Sequence, residues 1–291
     1  MPELPEVETI RRDLAEAVVG ASISAVEWLD GRIVRGALGP EALAARLVGQ
    51  QGAAVARRGK FLVWQFASGS GLLLHLGMSG RLVVVPRRLH VADHPRHTHL
   101  VLALSSGHRV RLTDPRRFGR VAWLEPPAVV PGAMGPEPLS PAFTARRLAA
   151  ILAGRRAPIK AVLLDQRRVA GLGNIYVDEA LHRARVHPAR PAGALSAKEV
   201  GALCRAIRCV LREALADRGT TFLDYRDAHG QAGGHQARLA VYGRAGQACR
   251  RCGEPILRVV VAGRGTHLCG RCQPSPTESP PPRPLPFGRP S

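Results

Sequence analysis

The chain has 291 residues, which is enough for two domains with separate hydrophobic cores. Its formal net charge is +20, and only three of its 42 basic residues are lysines, namely Lys60, Lys160 and Lys198. So large a positive excess predicts a polyanionic partner. No run of about 18 apolar residues occurs, and the N-terminus is charged where a signal peptide would be apolar, so we expect a cytoplasmic protein rather than a membrane or secreted one.

The first twelve residues, MPELPEVETIRR, predict the start of a helix. Prolines and acids occupy its first turn, Val7, Ile10 and Leu14 follow at helical spacing, and Gly20 ends the pattern. The same residues also suggest chemistry. If the initiator methionine is removed, Pro2 presents a secondary amine with a pKa of about 7.7 to 8.0, and Glu3 lies beside it as a proton donor.

Short apolar runs separated by glycine and proline predict seven or eight strands between residues 23 and 125. The runs are Ile23 to Leu29, Lys60 to Ala67, Leu72 to Leu76, Arg81 to Val85, His99 to Leu104, Arg109 to Leu112, and Arg120 to Leu124. One amphipathic stretch, Pro40 to Leu47, interrupts them. This pattern predicts a β-sandwich with the N-terminal helix packed beside it.

A proline- and glycine-rich segment then predicts a stiff linker, and helical periods follow it. The predicted helices are Thr144 to Leu152, Ile159 to Gln166, Ile175 to Ala184, and Ser196 to Arg218. Ser196 and Glu199 have the spacing of a capping box. We expect Cys204 and Cys209, inside the long helix, to be buried packing residues.

The remaining cysteines form the pattern C-x2-C-x16-C-x2-C, whose ligands are Cys249, Cys252, Cys269 and Cys272. Two such knuckles bring four thiolates around one tetrahedral Zn²⁺, and four protein ligands make the metal structural. Another thiophilic metal or an iron–sulfur site is the alternative. The segment after them has eight prolines among nineteen residues and is expected to be disordered.

These signals predict an α+β protein with two lobes. The expected parts are a β-sandwich domain at 1–126, a linker at 127–141, a helical domain at 142–235, a zinc-binding β-hairpin at 236–272, and a proline-rich tail at 273–291.

The opening MPELPEVETIRR resembles the N-terminus of the formamidopyrimidine-DNA glycosylases, the Fpg branch of the Fpg and endonuclease VIII family of base-excision repair enzymes. The resemblance continues in order through RRGK, HLGMSG, DPRRFG, GLGNIYVDE and the four cysteines. It implies a helix-two-turn-helix in the second domain. It also implies that Pro2 is the nucleophile, that Glu3 is the acid, and that Lys60 and Arg264 contact phosphate during strand cleavage.

Further DNA contacts follow from the resemblance. Met78, Arg116 and Phe118 match the residues that fill the space left by an extruded nucleotide, a task suited to an apolar wedge, a guanidinium and an aromatic ring. The phosphate and DNA contacts are His75, His97, Arg155, Lys160 and Asn174. Taken without the resemblance, Lys60 is an edge-strand charge, Arg264 a solvated charge, and Met78 and Phe118 core residues.

The expected function is therefore that of a DNA-formamidopyrimidine glycosylase and abasic-site lyase. It would excise 8-oxoguanine and formamidopyrimidines from damaged double-stranded DNA and cut the strand by β,δ-elimination. We expect a monomer in the bacterial cytoplasm, associated with the nucleoid. The alternatives are an endonuclease VIII-like enzyme for oxidised pyrimidines, against which Leu4 argues, and a non-catalytic binder of damaged DNA. The loop at 227–238 lacks the family's usual aromatic pair, which leaves the lesion preference open.

Overall fold

A computed structural model of the chain describes residues 2–86, 96–130 and 132–275. The chain forms two lobes, a β-sandwich and a helical lobe that carries a β-hairpin, so the predicted α+β class and its architecture are confirmed. Among these residues, no helix is both long and apolar enough to cross a bilayer. Residues 276–291, most of the predicted disordered tail, lie outside the described part of the chain.

The sandwich consists of two antiparallel four-stranded sheets with orders β1-β6-β7-β5 and β2-β3-β4-β8. Its strands are β1 (Ile23–Leu29), β2 (Gly52–Arg58), β3 (Phe61–Phe66), β4 (Gly71–His75), β5 (Arg81–Pro86), β6 (Thr98–Leu104), β7 (His108–Thr113) and β8 (Arg120–Leu124). The seven predicted runs are all strands. The additional strand, β2, was not among them because GAAVARR is rich in alanine and arginine, which carry little strand signal.

The predicted helix α1 (Leu4–Val18) joins the two lobes. Val7, Ile10 and Leu14 are buried in the sandwich core, whereas Leu4 is buried in the core of the helical lobe. The first turn of α1 therefore lies at the junction of the two lobes. α2 (Pro40–Leu47) packs on β1, as the amphipathic stretch predicted.

The second lobe is built from four helices around one apolar core. They are α3 (Ala145–Leu152), α4 (Ile159–Leu164), α5 (Asn174–Ala184) and α6 (Ala197–Ala216). Ser196 and Glu199 form the predicted capping box. Cys204 is buried as expected, but the prediction for Cys209 was wrong, because this thiol is exposed. Five helical residues turn the chain through about 500°, which places the two cysteines on different faces.

Two connections tie the lobes together. In the linker region Glu137 accepts hydrogen bonds from both terminal nitrogens of Arg57, at 2.9 and 2.7 Å. After α6, the loop at 219–235 crosses to the sandwich, where Tyr225 and Ala228 are buried in the first core. The Ala228 carbonyl accepts a hydrogen bond from the Val84 amide at 2.7 Å. The loop is thus part of both lobes.

Candidate active site and nucleic-acid interface

The N-terminal residues lie at the lobe junction, against the turn that precedes α5. Pro2 and Glu3 are both buried, and the Leu4 amide donates to the Gly171 carbonyl at 3.0 Å. Gly171 has a φ of +89°, and an added Cβ would lie 2.8 Å from the Leu4 side chain. At Gly173 an added Cβ would overlap the Glu3 carboxyl group. These glycines are therefore required for the close approach of the two segments.

Glu3 occupies the N-terminus of α5. Its carboxylate accepts hydrogen bonds from the amides of Ile175 at 2.9 Å and Tyr176 at 3.4 Å. The helix dipole, these bonds and the nearby Lys60 favour the charged form. Burial outweighs them and raises the pKa of Glu3 to about 7. A carboxylic acid with this pKa holds its proton in a large fraction of molecules at neutral pH.

Lys60 begins the segment after a tight turn whose Gly59 has a φ of +57°. The Gly59 amide donates to Glu137 at 2.5 Å, so the linker fixes the turn. Lys60 is 9% exposed, and burial lowers its pKa although the charges of Glu3 and Glu6 act in the opposite direction. Among the described residues, its ammonium group makes no side-chain hydrogen bond. The structure thus brings an uncommitted amine beside Glu3.

Glu6 forms a buried network that the sequence analysis missed. One oxygen accepts the Glu3 amide at 2.8 Å, and the other accepts the Thr220 amide at 2.8 Å and the Tyr176 hydroxyl. Tyr176 in turn lies 2.9 Å from the Thr220 hydroxyl. Glu6 therefore connects the Glu3 backbone to α5 and to the loop after α6. The one sequence signal for this role is the position of Glu6 in the first turn of α1. An acid at that position usually only caps the helix, so the signal does not predict the network.

The proposed void-filling residues lie on two turns at one end of the sandwich. Met78 follows β4 and is 36% exposed, while Phe118 precedes β8 and is 49% exposed. The Arg116 guanidinium stacks on the Phe118 ring at 4.9 Å. At Gly77, whose φ is +61°, a Cβ would lie 2.6 Å from the Phe118 backbone, so the two turns are in contact. The structure excludes the alternative that these side chains belong to the core.

Asp114 supports both turns. Its carboxylate accepts the Ser79 hydroxyl at 2.5 Å, the Arg116 amide at 3.2 Å and the Gly119 amide at 2.7 Å. Its carbonyl lies 2.9 Å from His99 Nε2. Because Asp114 is fully buried and holds both turns, it presents the exposed side chains in one orientation. Nothing in the DPRRFG motif distinguishes Asp114 as the residue that supports both turns.

Two predicted histidines lie at the same end. His75 ends β4, and its Nδ1 accepts the Gly77 amide at 3.1 Å. Burial, with the charges of Arg120 and Lys60, lowers the pKa of His75 to about 4, so its ring is neutral and Nε2 is the donor. His97 is exposed, with a φ of +69°, and its carbonyl accepts the Asp114 amide at 2.9 Å.

The four cysteines of the predicted zinc site meet at the base of a β-hairpin, β9 (Ile256–Val261) and β10 (Arg264–Cys269). Their sulfur atoms all lie within 4.8 Å of one another. The amides of Arg251 and Cys272 donate to Cys249 and Cys269 sulfurs, each at 3.4 Å. Four thiolates at this separation fit one tetrahedral Zn²⁺ with no open position, so the metal is structural.

Helix α5 supports the hairpin through three buried side chains. Asp178 accepts the His267 amide at 2.9 Å, and Glu179 accepts the amides of residues 240, 241 and 242 at 2.8 to 2.9 Å. His182 Nε2 lies 3.6 Å from the Cys249 sulfur. Helix α5 therefore binds the Glu3 carboxylate at its N-terminus and the zinc module through the side chains that follow.

Lys160 is buried, whereas a direct contact with a DNA phosphate requires an exposed ammonium group. Its side chain is 0% exposed, and its ammonium donates to Asp178 at 2.6 Å, to the Thr266 hydroxyl at 2.8 Å and to the Gly265 carbonyl at 3.1 Å. The predicted direct DNA contact is therefore corrected: an ammonium with three internal partners and no exposed surface braces the hairpin instead. Sequence alone does not distinguish a buried lysine from an exposed one.

Arg264 is exposed at the first position of β10, directly after the hairpin turn. The Asn174 amide nitrogen donates to the Gly265 carbonyl at 2.9 Å, which links α5 to this turn. The charge of Arg264 lowers the pKa of Lys60, so the hairpin arginine is close enough to act electrostatically on the junction. Arg155 lies apart, between α3 and α4, where its Nε donates to the Ile151 carbonyl at 2.5 Å. It is not brought to Glu3.

Comparisons with known proteins agree with this arrangement. The family model for the Formamidopyrimidine-DNA glycosylase N-terminal domain matches residues 1–121, and that for the H2TH domain matches 134–224. A model for the zinc finger found in FPG and IleRS matches 246–274. A Formamidopyrimidine-DNA glycosylase from Roseiflexus sp. (strain RS-1) is 48% identical over 94% of this chain and its own full length. One from Symbiobacterium thermophilum is 49% identical, covering 95% of this chain and 90% of the relative.

Solved structures give the same result. The MutM (Fpg) protein from Thermus thermophilus is 42% identical with a TM-score of 0.82, covering 94% of this chain and 98% of that one. Lactococcus lactis Fpg non-covalently bound to DNA containing an AP site is 35% identical with a TM-score of 0.85, covering 94% and 100%. With all three modules matched and nearly the whole length shared, this chain belongs to the formamidopyrimidine-DNA glycosylase family.

Proposed function

We propose that the chain is a bifunctional DNA glycosylase and abasic-site lyase that excises oxidised purines from duplex DNA, with Pro2 as the nucleophile and Glu3 as the acid. One observation carries the assignment of the acid. The Glu3 carboxyl group is buried beside Pro2, and its pKa of about 7 leaves a transferable proton at neutral pH. Membership of the family supports the reaction itself.

The chemistry requires removal of Met1, because only then does Pro2 carry a free secondary amine. The amine forms a bond to C1′ of the damaged nucleotide while the glycosidic bond breaks, and Glu3 supplies a proton as the base leaves. The amine loses its proton and the resulting aminal opens, because the C1′–O4′ bond breaks as O4′ takes up a proton and the nitrogen lone pair forms the iminium. The iminium makes the C2′ proton acidic, so that β- and then δ-elimination release the phosphates. Lys60, Asn174 and Arg264 would hold the backbone phosphates that keep C1′ near the amine.

The DNA is proposed to bind at the end of the sandwich and against the second lobe. Met78, Arg116 and Phe118 would fill the space left by the extruded nucleotide, since all three are exposed on adjoining turns. His75, with a neutral ring and a free Nε2 donor, and His97 would contact phosphate. Arg155 would bind the duplex farther from the lesion. Lys160 would act indirectly, by holding the hairpin that bears Arg264.

A Zn²⁺ ion bound by the four cysteines would supply folding free energy to the hairpin, roughly 10 to 16 kcal/mol in zinc fingers of this kind. We propose that the β-sandwich domain comprises residues 1–126, the linker 127–141, the helical domain 142–235 and the zinc-binding hairpin 236–272. We also propose that the enzyme acts as a monomer in the bacterial cytoplasm. Lactococcus lactis Fpg has been crystallised with DNA that contains an AP site and with DNA that contains N7-benzyl-Fapy-dG, which supports damaged duplex DNA as the partner here.

Borohydride trapping tests the proposal. Wild-type protein incubated with an 8-oxoguanine duplex and borohydride should form a covalent adduct, and peptide mapping should locate it at Pro2. Pro2→Gly keeps a free α-amine after methionine removal and should still form an adduct. Pro2→Gln retains the initiator methionine, so its first amine is displaced by one residue and the adduct should disappear. Trapping that persists in Pro2→Gln would contradict the assignment of the nucleophile.

Lesion preference has its own test, because the loop at 227–238 differs from the family pattern. His235 takes a position in that loop where it is buried and bonded to Asp217 at 2.8 Å. We expect excision of 8-oxoguanine and formamidopyrimidine to exceed excision of oxidised pyrimidines in matched duplexes. The reverse order would favour the endonuclease VIII-like alternative. Binding without any excision would favour a non-catalytic protein.

A further inference from the structure

A cluster of four arginines lines a cavity of about 380 Å³ on the outer face of the first sheet. Arg81 begins β5, Arg111 lies in β7, Arg96 precedes β6, and Arg226 belongs to the loop at 219–235. We call these residues the arginine cluster. It lies where the sandwich and the crossing loop meet, so its side chains come from both parts of the chain.

The donors of the arginine cluster are poorly matched by acceptors. The Nε atoms of Arg81 and Arg111 are buried and have no hydrogen-bond partner among the described residues. Arg81 has one acidic neighbour, Asp224, at 3.3 Å, and both side chains are more than a third exposed. Arg226 donates to the Tyr225 carbonyl at 2.7 Å, and this neutral acceptor leaves the positive charge of Arg226 without a counter-ion in the residues that the structure describes. Buried arginine donors normally have partners, so an external acceptor is expected.

Among the described residues, Arg81 is the one member of the cluster with an acidic partner. Burial lowers the pKa of Arg111, and no acid in the described part of the chain offsets that effect. Four guanidinium groups around one cavity repel each other unless an anion lies between them. Guanidinium groups match phosphate oxygens in pairs of parallel hydrogen bonds, so phosphate is the anion that suits the cluster.

The position of the cluster favours a phosphate of the DNA backbone. Arg81 follows directly on the turn that carries Met78, and Thr113, which also lines the cavity, precedes Asp114, the support of both void-filling turns. A duplex held at those turns would pass beside the cavity. A free phosphate ion would satisfy the same donors but would not depend on DNA.

We propose that the arginine cluster binds a backbone phosphate of the damaged duplex and thereby holds the loop at 219–235 against the sandwich. This inference rests on the proposed function, because it assumes that damaged DNA is the ligand. Arg81 and Arg111 supply donors from the sheet and Arg226 supplies donors from the loop. A single phosphate would therefore bridge the two.

Salt-dependent binding tests the phosphate contact. The double variant Arg111→Gln/Arg226→Gln should bind a duplex with a tetrahydrofuran abasic site at least about tenfold more weakly by fluorescence anisotropy. Its slope of log affinity against log salt should fall by about 0.9 for the one phosphate lost. Arg212→Gln, which removes an exposed arginine from α6, is the matched control and should keep the wild-type slope. Equal slopes in the double variant and wild type would overturn the inference.

A folding defect is distinguishable from loss of the site. Removing uncompensated positive charge should leave the Tm of the DNA-free double variant at or above that of wild type, whereas a purely structural role would lower it. The single variant Arg226→Gln, on the loop, gives a second measurement if the double variant proves unstable, with the same direction of change in slope. A lowered Tm with an unchanged slope would count against the inference.

Methylphosphonate substitution identifies the source of the phosphate. Replacing backbone phosphates one at a time by neutral methylphosphonates should reveal one position that weakens binding by wild-type protein but not by the double variant. DNA should also slow hydrogen exchange of residues 222–231 in wild type more than in the variant. If inorganic phosphate alone slows that exchange and no DNA position shows the coupling, the site binds free anion and the inference fails. Absence of borohydride trapping in wild type would instead overturn the proposed function.

Discussion

Lys60 and Lys160 are both buried, in a chain that has only one other lysine, yet the structure places them in opposite situations. Lys160 has three internal hydrogen-bond partners and an ion pair with Asp178 that is itself 0% exposed. Lys60 faces Glu3, Glu6 and Arg264 and makes no side-chain hydrogen bond among the described residues. Burial lowers the pKa of both amines. The comparison teaches that burial alone does not identify a lysine that is available to a ligand. An ammonium group without an internal acceptor does, and across residues 2–86, 96–130 and 132–275 Lys60 has that property whereas Lys160 does not.

Replacing the acid beside Lys60 gives the largest expected effect. Glu3→Gln removes the transferable proton, so base release should fall by roughly 100- to 10,000-fold while binding of an abasic-site duplex changes little. Single-turnover release of 8-oxoguanine measures the first quantity. If the variant releases the base at the wild-type rate, Glu3 is not the acid.

The raised pKa of Glu3 has a thermodynamic signature. The folded state holds the proton more tightly than the unfolded chain, so the carboxyl favours folding at low pH and this contribution is lost as pH rises to about 7. The free energy of unfolding of wild type should therefore fall relative to Glu3→Gln between about pH 4.5 and 7, by up to about 3 kcal/mol. Parallel pH profiles for the two proteins would exclude the raised pKa.

Lys160→Met should mainly affect stability. It leaves the buried Asp178 carboxylate without its counter-ion, which costs about 3 to 5 kcal/mol in comparable buried pairs. Denaturant unfolding measures the loss, and adding Asp178→Asn should recover part of it because the orphaned charge is then removed. A stability change below about 1 kcal/mol would show that Lys160 does not brace the hairpin.

Lys60→Met should show the reverse pattern. Loss of one charge-assisted contact to phosphate predicts about a 10- to 150-fold slower strand cleavage, from 1.5 to 3 kcal/mol of interaction. Stability should hold or improve, because a poorly compensated buried charge disappears. Lys60→Arg is the control that keeps the charge in a bulkier group. If Lys60→Met lost much stability but cleaved the strand at the normal rate, Lys60 would have the same structural role as Lys160.

Gly173→Ala has the smallest expected effect and tests the packing at the junction. The new methyl group overlaps the Glu3 carboxyl, so the acid must shift, at a cost of about 1 to 3 kcal/mol. We expect roughly tenfold slower base release with a modest decrease in Tm. Gly39→Ala is the matched control, because Gly39 also precedes a helix in extended backbone and an added Cβ there would have its nearest neighbour at 3.7 Å. Normal base release in Gly173→Ala would show that the junction tolerates movement of Glu3.

Much of the fold was predictable because its signals are local. The periods of α1 and α6, the capping box at Ser196, seven of eight sandwich strands and the cysteine spacing all depend on neighbours in sequence. The missed strand β2 is poor in β-branched residues, and the error at Cys209 came from treating two positions on different faces of one helix alike. The apolar pattern of α6 predicts that the helix has a buried face, but it does not show whether a residue at the margin of that face, such as Cys209, is buried or exposed.

The sequence by itself determined the family, the two-lobe architecture and the zinc ligands, since each is recorded in short motifs whose spacing has one physical interpretation. Only the tertiary structure decided that Glu3 is buried against α5, that Lys160 supports the hairpin, and that the loop after α6 enters the sandwich core. The reason is physical: desolvation and charge compensation depend on residues up to about 200 positions apart, as in the contact of Asp13 with Arg218. Such energies exist only once the chain is folded.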